Sequence, residues 1–293
     1  MSINYDMPLF RPPSEGDNLI IQVTLGCSFN QCSFCSMYSS KQYTERPFDE
    51  IKQDIAIAAS NWPEAHRVFL ADGDALALET EALIKILDEL NRQLPALNRV
   101  SCYATPSNIL HKSPQQLELL RQHKLSLVYL GIESGSDLIL KKITKGASQR
   151  SIAEALHKAD DSGLKISATV ISGLGGQQYW QQHIDGTVAL LNSAPVTYLS
   201  TLQLFLHPMA ESGFMKKFND DFIHQDDMAI LHEQQRLITN LTPPKRVIFR
   251  SNHASNALAL AGNLPKDRDK LLSQLQQALN GKQALRPPHI RGF

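Results

Sequence analysis

The sequence predicts an α/β fold, a partial (βα)6 TIM-type barrel with a C-terminal helical extension, on three observations. β-rich runs alternate with stretches whose apolar residues recur at helical spacing, and six such units can be read with short connections. Parallel strands need helical crossovers, so this alternation specifies a parallel sheet. An open doubly wound sheet predicts the same periodicity and is the competing architecture. The third observation is composition: 293 residues, 42% hydrophobic and 20% charged, with 29 Lys and Arg against 29 Asp and Glu. That suits one large core and excludes a disordered chain or a small disulfide-stapled module.

The expected strands are Leu19 to Leu25, Arg67 to Ala71, Arg99 to Ala104, Leu125 to Ile132, Lys165 to Ile171 and Thr197 to Leu206. Between them Leu83, Ile86, Leu87 and Leu90 form one helical stripe, and Ile152, Ala155, Leu156 and Ala159 another. Ser113-Pro114-Gln115-Gln116 offers an N-cap hydroxyl, a proline at the first helical position and a Gln placed to close a capping box. Gly163 fits a helix C-terminus. After residue 207 the pattern changes: Met209 to Asp221 reads as loop, Asp226 to Asn240 as helix and Arg246 to Arg250 as a short strand. A last helix is expected from Leu264-Pro265, carrying Leu272, Leu275 and Leu279, before an extended tail, RPPHIRGF. The expected division is an N-terminal arm over 1–17, a core over 18–207 and an extension over 208–293 that packs on the barrel.

A formal net charge of zero argues against a broad nucleic-acid or anionic-membrane footprint. No apolar run reaches the length of a membrane helix, and MSINYDMPLFRPP lacks the pattern of a signal peptide, so the cytoplasm is expected. In a reducing compartment clustered cysteines point first to metal or redox chemistry. Three of the four are clustered, in Cys27-Ser28-Phe29-Asn30-Gln31-Cys32-Ser33-Phe34-Cys35, directly after the first strand. Three thiolates on one loop can wrap three corners of a 4Fe-4S cluster and leave one iron open. A zinc knot would need a fourth ligand, which only Cys102 from afar could supply, and a thiol-disulfide motif normally opens a helix with no third Cys upstream.

At these residues the chain resembles the radical S-adenosylmethionine (radical SAM) superfamily, single-cluster members with a coproporphyrinogen-oxidase-like or methylthiotransferase-like core. Those enzymes carry CxxxCxxC after the first strand of a partial (βα)6 barrel, with an aromatic before the last Cys. Phe34 holds that position, although the first gap here has four residues, giving CxxxxCxxC. The resemblance implies a 4Fe-4S cluster on Cys27, Cys32 and Cys35, and S-adenosyl-L-methionine (SAM) at the open iron. Leu70-Ala71-Asp72-Gly73-Asp74 stands where the family contacts the SAM ammonium, which implies roles for Gly73 and Asp74. Gly131-Ile132-Glu133-Ser134-Gly135-Ser136-Asp137 is close to the family's GIESGSD segment and places Glu133 near the SAM ribose or amino group. Lys141-Lys142-Ile143-Thr144-Lys145-Gly146 also looks like the family, but a charged helix end explains it equally well. Gly173, in Ile171-Ser172-Gly173-Leu174-Gly175-Gly176, would approach adenine, and Ser107, in Thr105-Pro106-Ser107-Asn108, would meet the SAM carboxylate.

The activity implied is reductive cleavage of SAM to a 5'-deoxyadenosyl radical that abstracts hydrogen from a substrate, in an oxygen-sensitive enzyme. His253, Asn252 and Tyr38 are candidate substrate-side residues, His253 for proton transfer. The partners implied are a small-molecule substrate and an electron donor such as flavodoxin or ferredoxin. Only Cys102 remains outside the cluster, which disfavours a second cluster. The alternative from another class is a non-enzymatic iron-sulfur or zinc sensor or carrier.

Overall fold

The computed structural model describes residues 3–292. The first two residues of the expected arm, and Phe293 of the extension, lie outside the described residues. In chain order the elements are β1 (Leu19–Gln22), β2 (Thr24–Leu25), β3 (Thr44–Glu45), α1 (Phe48–Asn61), β4 (Arg67–Ala71), α2 (Thr80–Gln93), β5 (Arg99–Ala104), α3 (Pro106–His111), α4 (Pro114–Gln122) and β6 (Leu125–Glu133). There follow α5 (Asp137–Lys142), α6 (Gln149–Asp161), β7 (Lys165–Ser172), α7 (Gly176–Ser193), β8 (Tyr198–Gln203), α8 (Pro208–Lys217), α9 (Asp227–Asn240), β9 (Val247–Ser251), β10 (Leu260–Leu264) and α10 (Arg268–Leu279). One eight-stranded sheet has the order β1-β4-β5-β6-β7-β8-β9-β10, and β2 pairs with β3 in a separate ribbon. Its first six strands follow chain order with helical crossovers between them, which is the topology of a partial (βα)6 barrel.

The chain forms two compact units. The first takes residues up to Asn30, Ser36–Leu130 and Lys158–Ile166. Here β1, β4, β5 and β6 pair in parallel, with Ile20 beside Phe69 and Phe69 beside Ser101. Phe69, Leu70, Leu83, Leu87 and Leu90 are fully buried, each contributing about 1.5–3 kcal/mol by leaving water. Glu15, at a 3-10 turn in the N-terminal arm, is buried too: Arg99 (2.8 Å), the Ser101 hydroxyl (3.0 Å) and the Tyr129 hydroxyl (2.6 Å) donate to it. With the Asn18 amide as a fourth donor the buried carboxylate is well satisfied, and it ties the arm to β5 and β6.

The second unit takes Gln31–Cys35, Gly131–His157 and the chain from Ser167 on. β7, β8 and β9 are parallel and β10 returns antiparallel on β9. Its core includes Ile139, Ile143, Leu174, Phe214, Phe218 and Phe222, the three phenylalanine rings packed with centroids 4.8 Å apart.

Several local expectations hold. Ser113 Oγ accepts the Gln116 N–H at 3.1 Å while Gln116 Oε1 accepts the Ser113 N–H at 2.7 Å, closing the capping box. Gly163, at φ +73, follows α6. Others are corrected. The first strand stops at Gln22, because Val23 turns its carbonyl to Arg46 and Thr24–Leu25 pair with β3 instead. Thr105-Pro106-Ser107-Asn108 is the start of α3, with Thr105 and Asn108 forming a capping box of their own. Residues read as loop from Met209 contain α8, whose weak pattern and internal Gly213 hide it; Pro208 sits in its first turn and only Phe214 is buried. The helix expected from Leu264-Pro265 begins at Arg268, since 260–264 form β10, a strand with just two buried leucines at its ends and Gly262 buried between them. The tail contains a 3-10 turn at Pro288–Ile290 rather than running wholly extended.

Candidate active site

In the first unit, Cys27 follows β2 and is fixed by the segment after β4. Asp74 Oδ1 accepts the Ser28 N–H at 2.8 Å, and Oδ2 accepts the Ser28 hydroxyl. Burial raises the Asp74 pKa, and these bonds oppose the rise. The Gly73 N–H donates to the Gly26 carbonyl at 3.0 Å. A Cβ at position 73 would stand 2.7 Å from that oxygen and 2.8 Å from Cys27 Cβ, so no side chain fits. Gly73 and Asp74, two of the residues that the sequence directs at SAM, therefore have partners in the cysteine loop. Asp72 Oδ2 accepts the Gly26 N–H at 3.1 Å and pairs with Lys41 at 3.0 Å, and Lys41 pairs with Asp6 at 2.9 Å.

Tyr38 is buried, edge-on to Phe10 at 5.4 Å, and burial together with the Asp72 charge holds its hydroxyl proton firmly. It is a positioned phenol rather than a ready base. Ser107 lies on α3 with its hydroxyl 3.0 Å from His111 Nδ1. Cys102 is fully buried in β5, and burial pushes its thiol up to about 12, which makes it the inert core thiol the sequence suggests.

In the second unit, Cys32 and Cys35 flank a turn in which the Cys35 N–H donates to the Cys32 carbonyl at 3.1 Å. The Ser33 N–H between them donates to the Ile143 carbonyl at 2.9 Å, just past α5. Phe34 packs against the core made by Ile139, Ile143, Leu174 and the phenylalanines, so its ring anchors the loop. Glu133, at φ +59, pairs with Lys145 at 3.0 Å, and each side chain is only 10% exposed. Burial alone would lower the Lys145 pKa, but Glu133 and the Cys32 and Cys35 sulfurs outweigh it and hold the ammonium charged.

The ends of β6 and β7 share a buried polar support. His183 on α7 is 3.0 Å from the Ile171 carbonyl through Nε2, which fixes the proton there and leaves Nδ1 to accept from the Ser134 hydroxyl at 2.8 Å. Burial pushes this imidazole down to about 4. Gly173, at φ +85, donates its N–H to Glu233 Oε2 on α9 at 2.7 Å, and burial pushes that carboxyl up to about 8. His253 Nδ1 accepts the Ser255 N–H at 3.1 Å inside its own turn, and burial followed by the Arg286 charge lowers its pKa. Asn252 is exposed beside it.

The residues so gathered are Cys27 with Gly73, Asp74 and Ser28 in one unit, and Cys32, Phe34 and Cys35 with Lys145 and Glu133 in the other. Tyr38, Ser107 and His253 hold to local partners within their own unit. No described cysteine forms a disulfide, and among the described residues no three of His, Cys, Asp and Glu are grouped as a ready metal site. The donor set itself fits a group held by three thiolates: three half-buried cysteines within nine residues, two of them felt electrostatically by the Lys145 ammonium. Sequence reasoning assigned no role to Ser28 and Asp72, which sit inside the quoted segments, or to Lys41, His183 and Glu233, which sit in none, and read Lys145 as a helix-end charge.

Residues 21–186, more than half of the chain, match the sequence model of the Radical SAM superfamily. The chain belongs to this superfamily. Radical SAM proteins bind a 4Fe-4S cluster and SAM, and the fold agrees with theirs. Similar proteins include the heme chaperone HemW of Bacillus subtilis, 23% identical over 180 residues that cover 60% of this chain and 47% of HemW. A tRNA-2-methylthio-N(6)-dimethylallyladenosine synthase of Yersinia enterocolitica is 24% identical over 283 residues, covering 88% of this chain and 56% of the synthase. The chain thus spans about half the length of these relatives. Coproporphyrinogen III oxidase (HemN) of Escherichia coli shares the fold with a TM-score of 0.56 at 13% identity, over 76% of this chain and 51% of HemN. Among the described residues no helix is long and apolar enough to cross a membrane.

Proposed function

We propose that the chain is a radical SAM enzyme in which Cys27, Cys32 and Cys35 hold the cluster and SAM binds at the remaining iron. When bound, the cluster supplies one electron that cleaves SAM to methionine and a 5'-deoxyadenosyl radical for hydrogen abstraction from substrate. The observation that carries the reading is how much of each unit is given over to fixing its cysteines: Gly73 and Asp74 hold the backbone on either side of Cys27, and Ile143 and Lys145 flank the Cys32–Cys35 pair. The protein's part is orientation and exclusion of water from a reactive radical. Glu133 presents a carboxylate for SAM hydroxyls or ammonium, while Gly173 is buried with its N–H on Glu233 and Ile230 packed 2.8 Å from where a Cβ would stand, so its part is to let the turn after β7 form. His183 and Glu233 hold those two segments in place. A low-potential donor of the flavodoxin or ferredoxin class, a small-molecule substrate and a cytoplasmic setting belong to the same reading.

Two observations favour a second reading, a cluster- or metal-binding carrier without SAM chemistry. Asp74 and Gly73 are already engaged by the cysteine loop, and a relative is named as a chaperone. Anaerobic reconstitution with iron and sulfide, followed by SAM and dithionite, separates the two. The enzyme forms 5'-deoxyadenosine; a carrier takes up iron and sulfide, or zinc, and forms none.

A further inference from the structure

In the reading above Ile143 and Lys145 only hold the later two cysteines, which leaves the Lys145 charge without a task. At the end of α5 the Ile143 N–H donates to Ile139, the Thr144 N–H to Lys141 and the Lys145 N–H to Leu140, at 2.9, 3.1 and 2.9 Å. Thr144 and Gly146 both take positive φ, +54 and +69, so the chain turns sharply on either side of Lys145. The Ile143 carbonyl accepts the Ser33 N–H at 2.9 Å, which fastens this turn to the backbone midway between Cys32 and Cys35. The Lys145 ammonium is thereby buried next to the pair, with Glu133 Oε1 at 3.0 Å as its counter-ion. A buried lysine is costly, and a helix end needs none there, so the charge calls for a purpose.

We propose that Lys145 sets the reduction potential of the cluster, its ammonium favouring the reduced form and Glu133 moderating it. The inference rests on the proposed cluster ligation. Reduction adds one electron from an external one-electron donor and breaks no bond, so the cluster with its thiolates gains one negative charge. In a low-dielectric setting a cation within electrostatic reach of the Cys32 and Cys35 sulfurs stabilises that added charge, and net charge is among the determinants of iron-sulfur potentials. The Glu133 carboxylate opposes it, so the two residues act with opposite sign.

The test is an anaerobic redox titration without SAM, followed by the paramagnetic signal of the reduced cluster, on reconstituted wild type, Lys145→Gln, Lys145→Arg and Glu133→Gln. Iron and sulfide counts establish loading in each. At a fixed poise Lys145→Gln lowers the ratio of reduced to oxidised cluster about tenfold, equivalent to about 59 mV for one electron. Lys145→Arg stays within about twofold of wild type, and Glu133→Gln raises the ratio. Loaded Lys145→Gln with an unchanged midpoint, or both neutralised variants shifting the same way, overturns the inference. If Lys145→Gln does not load, the sign of the Glu133→Gln shift decides alone: upward supports it, unchanged or downward overturns it. Wild type that takes up no iron and sulfide fails the ligation reading itself and the inference with it, and the counts identify that case.

Discussion

Around Cys27 the polar partners are carboxylates. Asp74 accepts both the N–H and the hydroxyl of Ser28, and Asp72 accepts the Gly26 N–H. Around Cys32 and Cys35 the partner is a cation, Lys145, and the backbone is fastened through Ser33 to Ile143. The first region shapes the loop by short bonds to backbone and by the exclusion of any side chain at Gly73. The second brings charge to the sulfurs and adds a titratable interior, His183 and Glu233, behind the turns that follow β6 and β7. Placement belongs to one region and electrostatics to the other, and each can be attacked separately.

The largest effect expected is from Cys35→Ala, which removes a ligand: cluster iron and 5'-deoxyadenosine formation both fall to background, whereas Cys102→Ala retains both. Equal loss in the two variants would mean that the buried thiol is a ligand and that the division of cysteines is wrong. Next comes pH. The unfolded chain protonates a histidine near 6.5 that folded His183 refuses until about 4, so stability is lost as pH falls through that window. Glu233 runs the other way: its folded pKa, about 8, lies above the ordinary 4.5, so its contribution is complete below 4.5 and is lost as pH rises towards 8. Each amounts to roughly 3 kcal/mol or more. Thermal melts therefore peak in mildly acidic buffer, and Glu233→Gln flattens the fall on the alkaline side. A melting temperature that keeps rising from pH 6 to pH 8 contradicts this.

Gly73→Ala drives a methyl group into the Gly26 carbonyl, and overpacking against backbone costs about 1–3 kcal/mol. The loss shows as a lower melting temperature and slower cluster loading. Smaller again is Asp74→Asn, which keeps an acceptor for the Ser28 N–H but loses the charge assistance, about 1 kcal/mol. If Asp74→Asn folds and loads normally but weakens SAM binding many-fold, the carboxylate serves SAM directly and the loop-holding role assigned to it here is secondary.

Much of this was legible in the chain. Strong alternation gave β4 and β5 to the residue, because Arg67–Ala71 and Arg99–Ala104 are β-rich runs bounded by turns. Capping chemistry gave the start of α4 at Ser113-Pro114. What escaped was structure whose pattern depends on tertiary partners: α8 buries one phenylalanine, and β10 ends on Leu264, which with Pro265 reads as the start of a helix. At the site, cysteine spacing located the loop, but the partners that fix it come from far along the chain. Ser28 meets Asp74 across 46 residues, and Gly173 meets Glu233 across 60. No local spacing encodes such pairs. Lys145 was visible as a charge at a helix end; its burial against Glu133 was not.

The central claim is that the three-cysteine loop holds a cluster with one iron open to SAM. The most direct measurement is the paramagnetic spectrum of the reduced, reconstituted protein before and after addition of SAM. A spectrum that changes on addition, in wild type but not in protein whose cluster was never assembled, is the predicted result. A fully loaded and reduced cluster whose spectrum SAM leaves untouched contradicts the account.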